Sequence, residues 1–476
     1  MAQVILFSDS NGPYGWARTL GPNSIAGTLR LHGYSVQNID FFAWLTLEDL
    51  TKIVEKYVSQ ETLLVGFSTT HISKFCNNIP DDKEKFILYW KACKYFPQNN
   101  NTIQTFFKLI KDKNPNVKIC MGGSKILDTP MDYPGIDHWF IGDSNKSILE
   151  VLNGNHSDSI VHSRSYPYRN FNISQTRWTE EDIILNNEHL PIEFSRSCSF
   201  KCNFCYFSKK IKTFGNQQRT IKNIKEELLY NYEMFGTTGY LINDLTFNAP
   251  HNRFKDICEM IISLPFKIEY SAWIRLDQIK NYNEQRELLI ESGAKSLQCG
   301  IETMDPGALK RINKGLTKDE IIETLLFLKE KFENKINIGS GFIVGLENES
   351  EESIYNTFDW LMKDKLLDSF SFTPLYIAKS EELTKEQLDA WDWPLLTEKG
   401  WKNTHFNFNR AIEIAKELNN KAVIKPYGSY YNRLRNIGYT EEECLNFNMD
   451  YKESHLKTLD ETRNLKDKYL RTLLCD

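Results

Sequence analysis

Short apolar runs and longer stretches of helical period alternate through the first part of the chain. Val4 to Phe7, Val36 to Ile39, Leu63 to Ser68 and Val117 to Met121, the last running into Gly122-Gly123, have strand length. Between them Asn23 to Leu31, closed by Gly33, and Leu47 to Val58 carry apolar positions at helical spacing. This is βαβ patterning, and it predicts a doubly wound parallel sheet over residues 1–153. Residues 71–104 interrupt the rhythm with an aromatic-rich helical insertion, whose Phe86, Tyr89, Trp90 and Tyr95 fit either plain packing or a lid over a ligand.

The periodicity then lapses into Asn, Ser, Arg and His, which predicts a linker over 154–177. A second βα series follows over 178–384. Its strands are Ile192–Ser195, Gly239–Asn243, Ile268–Trp273, Ser296–Gly300, Ile338–Val344 and Phe370–Tyr376. Amphipathic helices separate them: Ile221, Ile224, Leu228 and Tyr232 share one face before Gly236, and the capping box Thr317-x-x-Glu320 opens another with Ile321, Leu325 and Leu328. Six such units predict a partial, open (β/α)6 barrel. The remaining residues, 385–476, are rich in Trp, Asn, Lys and Glu, carry mixed helical signals and predict a mainly helical C-terminal region without a readable motif.

A length of 476 residues fits about three domains, and 41% hydrophobic with 25% charged residues is the composition of a folded globular chain. The formal net charge of −5 gives no electrostatic case for a nucleic-acid partner. No apolar run approaches the roughly 20 residues that span a bilayer, and the first residues read as a strand rather than a signal peptide, so a cytoplasmic address without a membrane partner is expected. The ten cysteines are scattered except for three, which fits a reducing compartment.

Those three are Cys198, Cys202 and Cys205, set in Cys-Ser-Phe-Lys-Cys-Asn-Phe-Cys directly after the first strand of the second series. Three thiolates can hold three iron corners of a cubane cluster and leave the fourth iron open to a bidentate amino-carboxylate ligand. A structural zinc site is the plainer alternative. It asks for four ligands from paired knuckles, and no second pair follows at a suitable distance. The spacing Cys-x3-Cys-x-aromatic-Cys, with Phe204 as the aromatic, resembles the signature of the radical S-adenosylmethionine (SAM) superfamily. The resemblance implies a [4Fe–4S] cluster on Cys198, Cys202 and Cys205 with SAM on the open iron.

The likeness to that superfamily runs from about Trp178 to about Leu366. Arg196-Ser-Cys198 resembles the family's approach to the cluster, with Ser197 in place of the customary glycine. The strand end at Asp244 is similar to the segment whose acid lies near the SAM amino group, although a lone Asp there also reads as a turn residue. Trp273-Ile-Arg275-Leu-Asp277 resembles the strand that delivers an arginine to the SAM carboxylate; the plainer reading is a salt bridge to Asp277. Gln298-Cys-Gly300-Ile-Glu302 resembles the family's Gly-Ile-Glu stretch on the cofactor side. The stretch Gly341 to Glu349, including Val344, resembles the element bordering adenine, with Glu347 and Asn348 replacing a proline and a glycine. The SAM-binding set implied is therefore Phe204, Asp244, Arg275, Gln298, Glu302 and Val344.

Gly21 to Asp40, with the strand ends at Ser68-Thr69, Gly122-Gly123 and Gly142-Asp143, resembles the cobalamin-binding domain that precedes the barrel in one radical SAM subclass. Small residues at the carboxyl ends of parallel strands leave a crevice for a large flat cofactor and its tail. An empty flavodoxin-like domain used for substrate binding or assembly is the alternative. The cobalamin contacts implied are Asn11, Gly12, Ser68, Thr69, Gly122, Gly123 and Gly142. The loop Ser8 to Trp16 lacks the histidine that ligates cobalt in other cobalamin domains. That leaves Tyr14, Trp16 or water for the lower face of the cobalt, with His71 and His138 as the imidazoles to consider, each of which also reads as a surface or packing residue.

The resemblance implies a cobalamin-dependent radical SAM enzyme, a methyltransferase acting on an unactivated carbon through a 5′-deoxyadenosyl radical. Two other readings stay open: radical rearrangement, cyclisation or oxidation without methyl transfer, and a non-catalytic cluster-binding assembly protein. The partners expected are a small-molecule or peptide substrate and an external electron donor such as flavodoxin or ferredoxin.

Overall fold

A computed structural model of the chain describes residues 2–9, 15–69, 101–123, 134–167, 170–196, 198–205, 217–333, 335–375, 395–397, 400–403, 405–424, 428–447 and 449–475. Two six-stranded sheets dominate it. The first holds β1 (Val4–Phe7), β2 (Val36–Ile39), β3 (Leu64–Ser68), β4 (Lys118–Gly122), β5 (His138–Ile141) and β6 (Ile160–His162), all parallel, in the order β2-β1-β3-β4-β5-β6. Side chains on each strand alternate between two apolar layers. Ile5, Phe7, Val65, Phe67, Ile119 and Met121 pack with residues of helices Leu47–Tyr57 and Asn101–Lys113, while Val4, Leu6, Leu64 and Cys120 pack with those of Leu20–Leu31 and Ser147–Leu152. The strand order reverses at β1, so the crevice beyond the carboxyl ends of β1 and β3 is the place where such sheets take ligands.

Residues 154–177 differ from the expected linker, because Ile160–His162 lies within them and completes the sheet as β6. A three-residue edge strand with only Val161 buried is too short to leave an apolar period. The helix Asn101–Lys113 ends the expected insertion. Phe86, Tyr89, Trp90 and Tyr95 lie outside the described residues.

The second sheet holds β7 (Leu190–Ile192), β8 (Gly239–Ile242), β9 (Glu269–Ile274), β10 (Ala294–Glu302), β11 (Asn337–Val344) and β12 (Ser369–Pro374). Every neighbour is the next strand in sequence and parallel to it, with helices between, and among the described residues β7 and β12 are the two edges. This is the expected open barrel. Leu297, Cys299 and Ile301 of β10 with Phe342 and Val344 of β11 join one large apolar core with the surrounding helices. Intervening residues such as Gln298, Gly300, Gly341 and Ile343 are only half-buried on the other face.

The C-terminal region is mainly helical and serves both sheets. Helix Phe408–Lys421 packs beside β12, where Asn419 accepts from the Phe372 N–H and donates to its carbonyl, each at 2.8 Å, so a side-chain amide stands where another strand would pair. Helix Ser429–Asn436 closes the amino ends of β8 and β9: Tyr431 donates to Glu269 at 2.8 Å and Asn432 to the Tyr240 carbonyl at 2.9 Å. The final helix, Tyr451–Leu474, returns to the first sheet and buries Leu459, Tyr469 and Leu473 in its core. No described helix is long and apolar enough to cross a membrane.

Candidate active site

β7 stops at Ile192, earlier than the pattern predicts, and the chain leaves the ladder to form the cysteine loop. Asp244, just past β8, pins the start of that loop. Its buried carboxylate accepts from the Phe194 N–H at 2.7 Å and from the Ser195 hydroxyl at 2.8 Å. Burial outweighs these bonds and pushes the Asp244 carboxyl up to about 7. The far side is tied down by Asn203, which donates through its backbone to the Ile312 carbonyl at 3.1 Å and through its amide to that of Arg311 at 2.7 Å.

Within the loop the Cys198 thiol lies 3.4 Å from the Thr246 hydroxyl, and the Cys205 N–H donates to the Cys202 carbonyl at 3.1 Å. Arg275 donates to the Cys202 sulfur at 3.1 Å, which fixes that side chain within the loop. Among the described residues no three His, Cys, Asp or Glu side chains are gathered closely enough to hold one ion. A cubane asks for something else, one thiolate at each of three iron corners, and a loop fixed at both ends with three cysteines that form no disulfide supplies that donor set. Cys258, Cys299 and Cys444 offer no alternative. They are buried in apolar cores, which pushes each thiol up to about 12, and Cys120 is raised further for the same reason.

Arg275 makes the ion pair read from the sequence, with Asp277 at 2.8 Å, and it donates to the Lys314 carbonyl at 2.8 Å and stacks over Phe200 with its guanidinium carbon 3.7 Å from the ring centre. These bonds aim the guanidinium at Cys202. Glu302 ends β10 and pairs with Lys314 at 2.8 Å, and Lys314 also donates to the Gly300 carbonyl at 2.7 Å. The sequence reading missed Lys314. The signal was Gly300, since a Cβ there would lie 2.5 Å from the Lys314 ammonium. Phe204 is half-buried against the barrel core, with the Lys314 ammonium 5.8 Å from its ring centre. Gln298 shares the open face of the sheet with Gly300 and Gly341. Val344 does not join this group: its side chain is wholly buried in the helix-facing core, and Ile343 holds the open face beside it. Asp244 likewise spends both oxygens on the cysteine loop.

A cavity of about 510 Å³ opens at the carboxyl ends of β1, β3, β4 and β5. Ser68, Gly122, Gly123 and Gly142 line it, together with Glu193 and Arg196 from the base of the cysteine loop. Gly142, at φ 92°, allows close packing here, since a Cβ would fall 2.2 Å from the Ser163 hydroxyl oxygen. Thr69 is not on the wall; it donates to the Gly122 carbonyl through its N–H at 2.7 Å and its hydroxyl at 3.0 Å, bracing β3 against β4. Arg196 joins the two domains across the cavity, paired with Asp143 of the first and, at 2.6 Å, with Glu193 of the second. Asn11, Gly12, Tyr14 and His71 lie outside the described residues. Two candidates for the cobalt's lower face are engaged elsewhere. His138 begins β5, at the end of the strand away from Gly142, and its ring bonds to the Asp158 carbonyl at 2.9 Å. Trp16 is buried between Phe41 and Tyr469 and donates to Glu188 at 2.6 Å, so neither is free to approach a ligand in the cavity.

A family model described as the Radical SAM superfamily matches residues 192–361, which span the cysteine loop and the strands behind it. Bacteriochlorophyllide d C-12(1)-methyltransferase of Chlorobaculum tepidum is 26% identical over 215 residues, covering 43% of this chain and 44% of that protein. An uncharacterized methyltransferase of Pyrococcus horikoshii is 25% identical over 290 residues, 54% of this chain and 61% of the relative. The anaerobic magnesium-protoporphyrin IX monomethyl ester cyclase of Cereibacter sphaeroides is 26% identical over 208 residues, 42% of this chain and 32% of the relative. The chain thus spans between about a third and three fifths of the length of these curated relatives. Among solved structures, the radical SAM methyltransferase TsrM of Kitasatospora setae, with cobalamin and a [4Fe–4S] cluster bound, superimposes at a TM-score of 0.62 over 97% of this chain and 100% of its own, at 14% identity. The cobalamin-dependent radical SAM enzyme OxsB, with aqua-cobalamin and SAM bound, gives 0.55 over 99% of this chain and 75% of its own, at 16% identity. At such identities the likeness is one of fold, and it reaches both sheets and the C-terminal helices. The family match falls on the very strands that carry the cysteine loop, so residues 192–361 match the Radical SAM superfamily and the chain as a whole has the fold seen in the cobalamin-dependent enzymes TsrM and OxsB.

Proposed function

We propose that this chain is a cobalamin-dependent radical SAM methyltransferase acting on an unactivated carbon. The observation that carries the reading is the shared wall: Glu193 and Arg196 lead into the cysteine loop and also line the cavity of the first sheet. A ligand in that cavity and a cluster on the loop would therefore be neighbours. The cavity has the two halves that a flat cofactor with a tail requires, an apolar slot along Leu6, Leu64 and Ile148 and a mouth of small residues at Ser68, Gly122 and Gly142. When bound, the cluster with SAM supplies a hydrogen-abstracting radical, and cobalamin supplies the methyl carrier.

The chain's own groups bind and orient. Cys198, Cys202 and Cys205 would each hold one iron, and Arg275 orients the Cys202 sulfur. Arg275 and Glu302 with Lys314 provide fixed positive and negative groups near the loop, the pair that a zwitterionic amino-carboxylate needs. Gln298 and Ile343 offer a polar and an apolar contact on the same open face. A small-molecule or peptide substrate would enter from that face, with the electron delivered by an external donor such as flavodoxin or ferredoxin.

The likeness to a cyclase supports a second reading, radical chemistry without methyl transfer. Atom balance separates the two. SAM that has given up its methyl group leaves S-adenosylhomocysteine, while SAM cleaved at the adenosyl carbon leaves methionine and 5′-deoxyadenosine. The test is anaerobic incubation of the reconstituted protein with SAM, cobalamin and reductant, followed by quantification of both nucleosides. Formation of both supports the methyltransferase; 5′-deoxyadenosine alone, with cobalamin bound, transfers the assignment to the second reading.

A further inference from the structure

The neck of the cysteine loop is also a wall of the cavity. Of the described residues that line the cavity, Glu193 and Arg196 alone come from the second domain, and both stand just before Cys198. Short antiparallel pairing closes the neck. Ser195 bridges to Gln218, the Arg196 N–H donates to the Gln217 carbonyl at 3.0 Å, and the Arg219 N–H donates to that of Phe194 at 3.0 Å. Asp244 holds Phe194 and Ser195 from β8. A displacement of the neck is therefore passed on to the first cysteine of the loop.

The Arg196 side chain ties this neck to the first domain. Two arms of its guanidinium donate to Glu193 at 2.8 and 2.6 Å, and the third nitrogen pairs with Asp143, which follows β5 and lines the same cavity. Its central carbon also lies 5.1 Å from the ring centre of Phe171, in the segment between the two sheets. An ion pair on an open surface contributes little. These side chains are sheltered, with Arg196 26% exposed, Asp143 16% and Glu193 6%. One guanidinium answers two carboxylates. Without it Asp143 and Glu193 would face each other as like charges across the domain boundary, and a sheltered charge that has lost its partner is costly.

We propose that Arg196 is a positioning residue that couples the two cofactor sites: by holding Asp143 and Glu193 together, it lets a ligand in the cavity and a cluster on the loop each favour the geometry that the other needs. This rests on the reading of the cavity as a cobalamin site and of the loop as a cluster site. Such coupling is reciprocal. A cluster that fixes the neck raises the affinity for cobalamin by the same factor by which cobalamin strengthens the hold on the cluster. Arg196 acts through the two carboxylates and the neck, with no part in the bond-making steps.

The test is hydroxocobalamin titration of the full chain, first without its cluster and then after anaerobic reconstitution with iron and sulfide. For the wild type the proposal expects about tenfold tighter binding with the cluster in place, a usual size for coupling between two sites. Arg196→Met should bring that ratio close to one while each cofactor still binds alone. Electron paramagnetic resonance of the reduced cluster gives a second readout: added cobalamin should change the wild-type signal and leave that of Arg196→Met as it was. A merely structural role would weaken both sites and leave the ratio untouched. An Arg196→Met protein that keeps the wild-type ratio, or whose cluster signal still responds to cobalamin, overturns the proposal. Should Arg196→Met fail to fold, Arg196→Lys decides, because one ammonium cannot reproduce the planar fork; its ratio should fall below that of the wild type, and an unchanged ratio overturns the proposal. Wild-type protein that binds cobalamin equally well with and without the cluster keeps the functional reading and removes only the coupling. Wild-type protein that takes up a cluster and no cobalamin sinks the functional reading, and the coupling falls with it.

Discussion

At the scale of single residues, the cysteine loop separates three thiols from the rest by their surroundings rather than by count. Cys198→Ala, Cys202→Ala and Cys205→Ala should each abolish the cubane absorbance and SAM cleavage, while Cys258→Ala and Cys299→Ala keep both, and a triad variant retaining full cluster would contradict the assignment. Arg275→Ala and Glu302→Ala should weaken SAM binding by about 1.5–3 kcal/mol each, the usual size of a lost charge-assisted bond. Equilibrium binding of SAM to the reconstituted protein measures this, and unchanged affinity in both would remove them from the site. Glu349 provides a pH prediction. Its buried carboxyl accepts from Thr303 at 2.5 Å, its second oxygen has no hydrogen-bond partner among the described residues, and burial pushes it up from 4.5 to about 8. Below the lower value both folded and unfolded chains hold the proton. Between the two values the unfolded chain has lost it and the folded chain has not, so stability falls as pH rises, by at most about 1.4 kcal/mol per unit. Glu349→Gln should flatten the dependence of the urea midpoint on pH across that window; an unaltered slope would show that Glu349 is ionised in the folded protein. The cysteines stand out in the sequence because their spacing resembles a family signature. The bonds of Asp244 to the cysteine loop and the core position of Val344 were not in the pattern, because which face of a strand end meets a neighbour depends on register.

At the scale of elements, the long apolar strands and capped helices were legible because each buries a regular face. Thr317 with Glu320 forms the predicted capping box and Leu47–Tyr57 the predicted helix. β6 and the early stop of β7 were not legible, since an edge strand of three residues and a loop held by Asp244 rely on partners far away in sequence. The last helix shows the same limit. Its apolar positions are sparse because its buried face is partly polar, so its docking against the first sheet left no clean period. Leu473 is fully buried there, and Leu473→Ala should cost about 2–5 kcal/mol of stability. Leu326, at 53% exposure on a barrel helix, should cost little when changed to Ala, within about 0.5 kcal/mol. Chemical denaturation of the two variants compares them, and equal midpoints would mean that the helix is not docked as described.

At the scale of the whole molecule, the order of domains was legible and their joining was not. The chain ends where it began: the last helix packs into the first sheet, and Arg18 ties that sheet to the barrel through Glu188. Arg196 and Asp143 span the cavity that both halves enclose. In the proposed reading such closure would hold the two cofactors at a fixed separation and limit water between them, as cofactor chemistry through radicals requires. The central claim is that one chain holds an iron–sulfur cubane and a cobalamin side by side. The most direct measurement is metal and cofactor analysis of protein purified anaerobically with iron, sulfide and cobalamin supplied. The account predicts four irons, four sulfides and one cobalamin per chain, with the iron lost and the cobalamin kept when Cys198, Cys202 and Cys205 are all replaced by Ala. Zinc in place of iron, or a cubane with no cobalt bound, would contradict it.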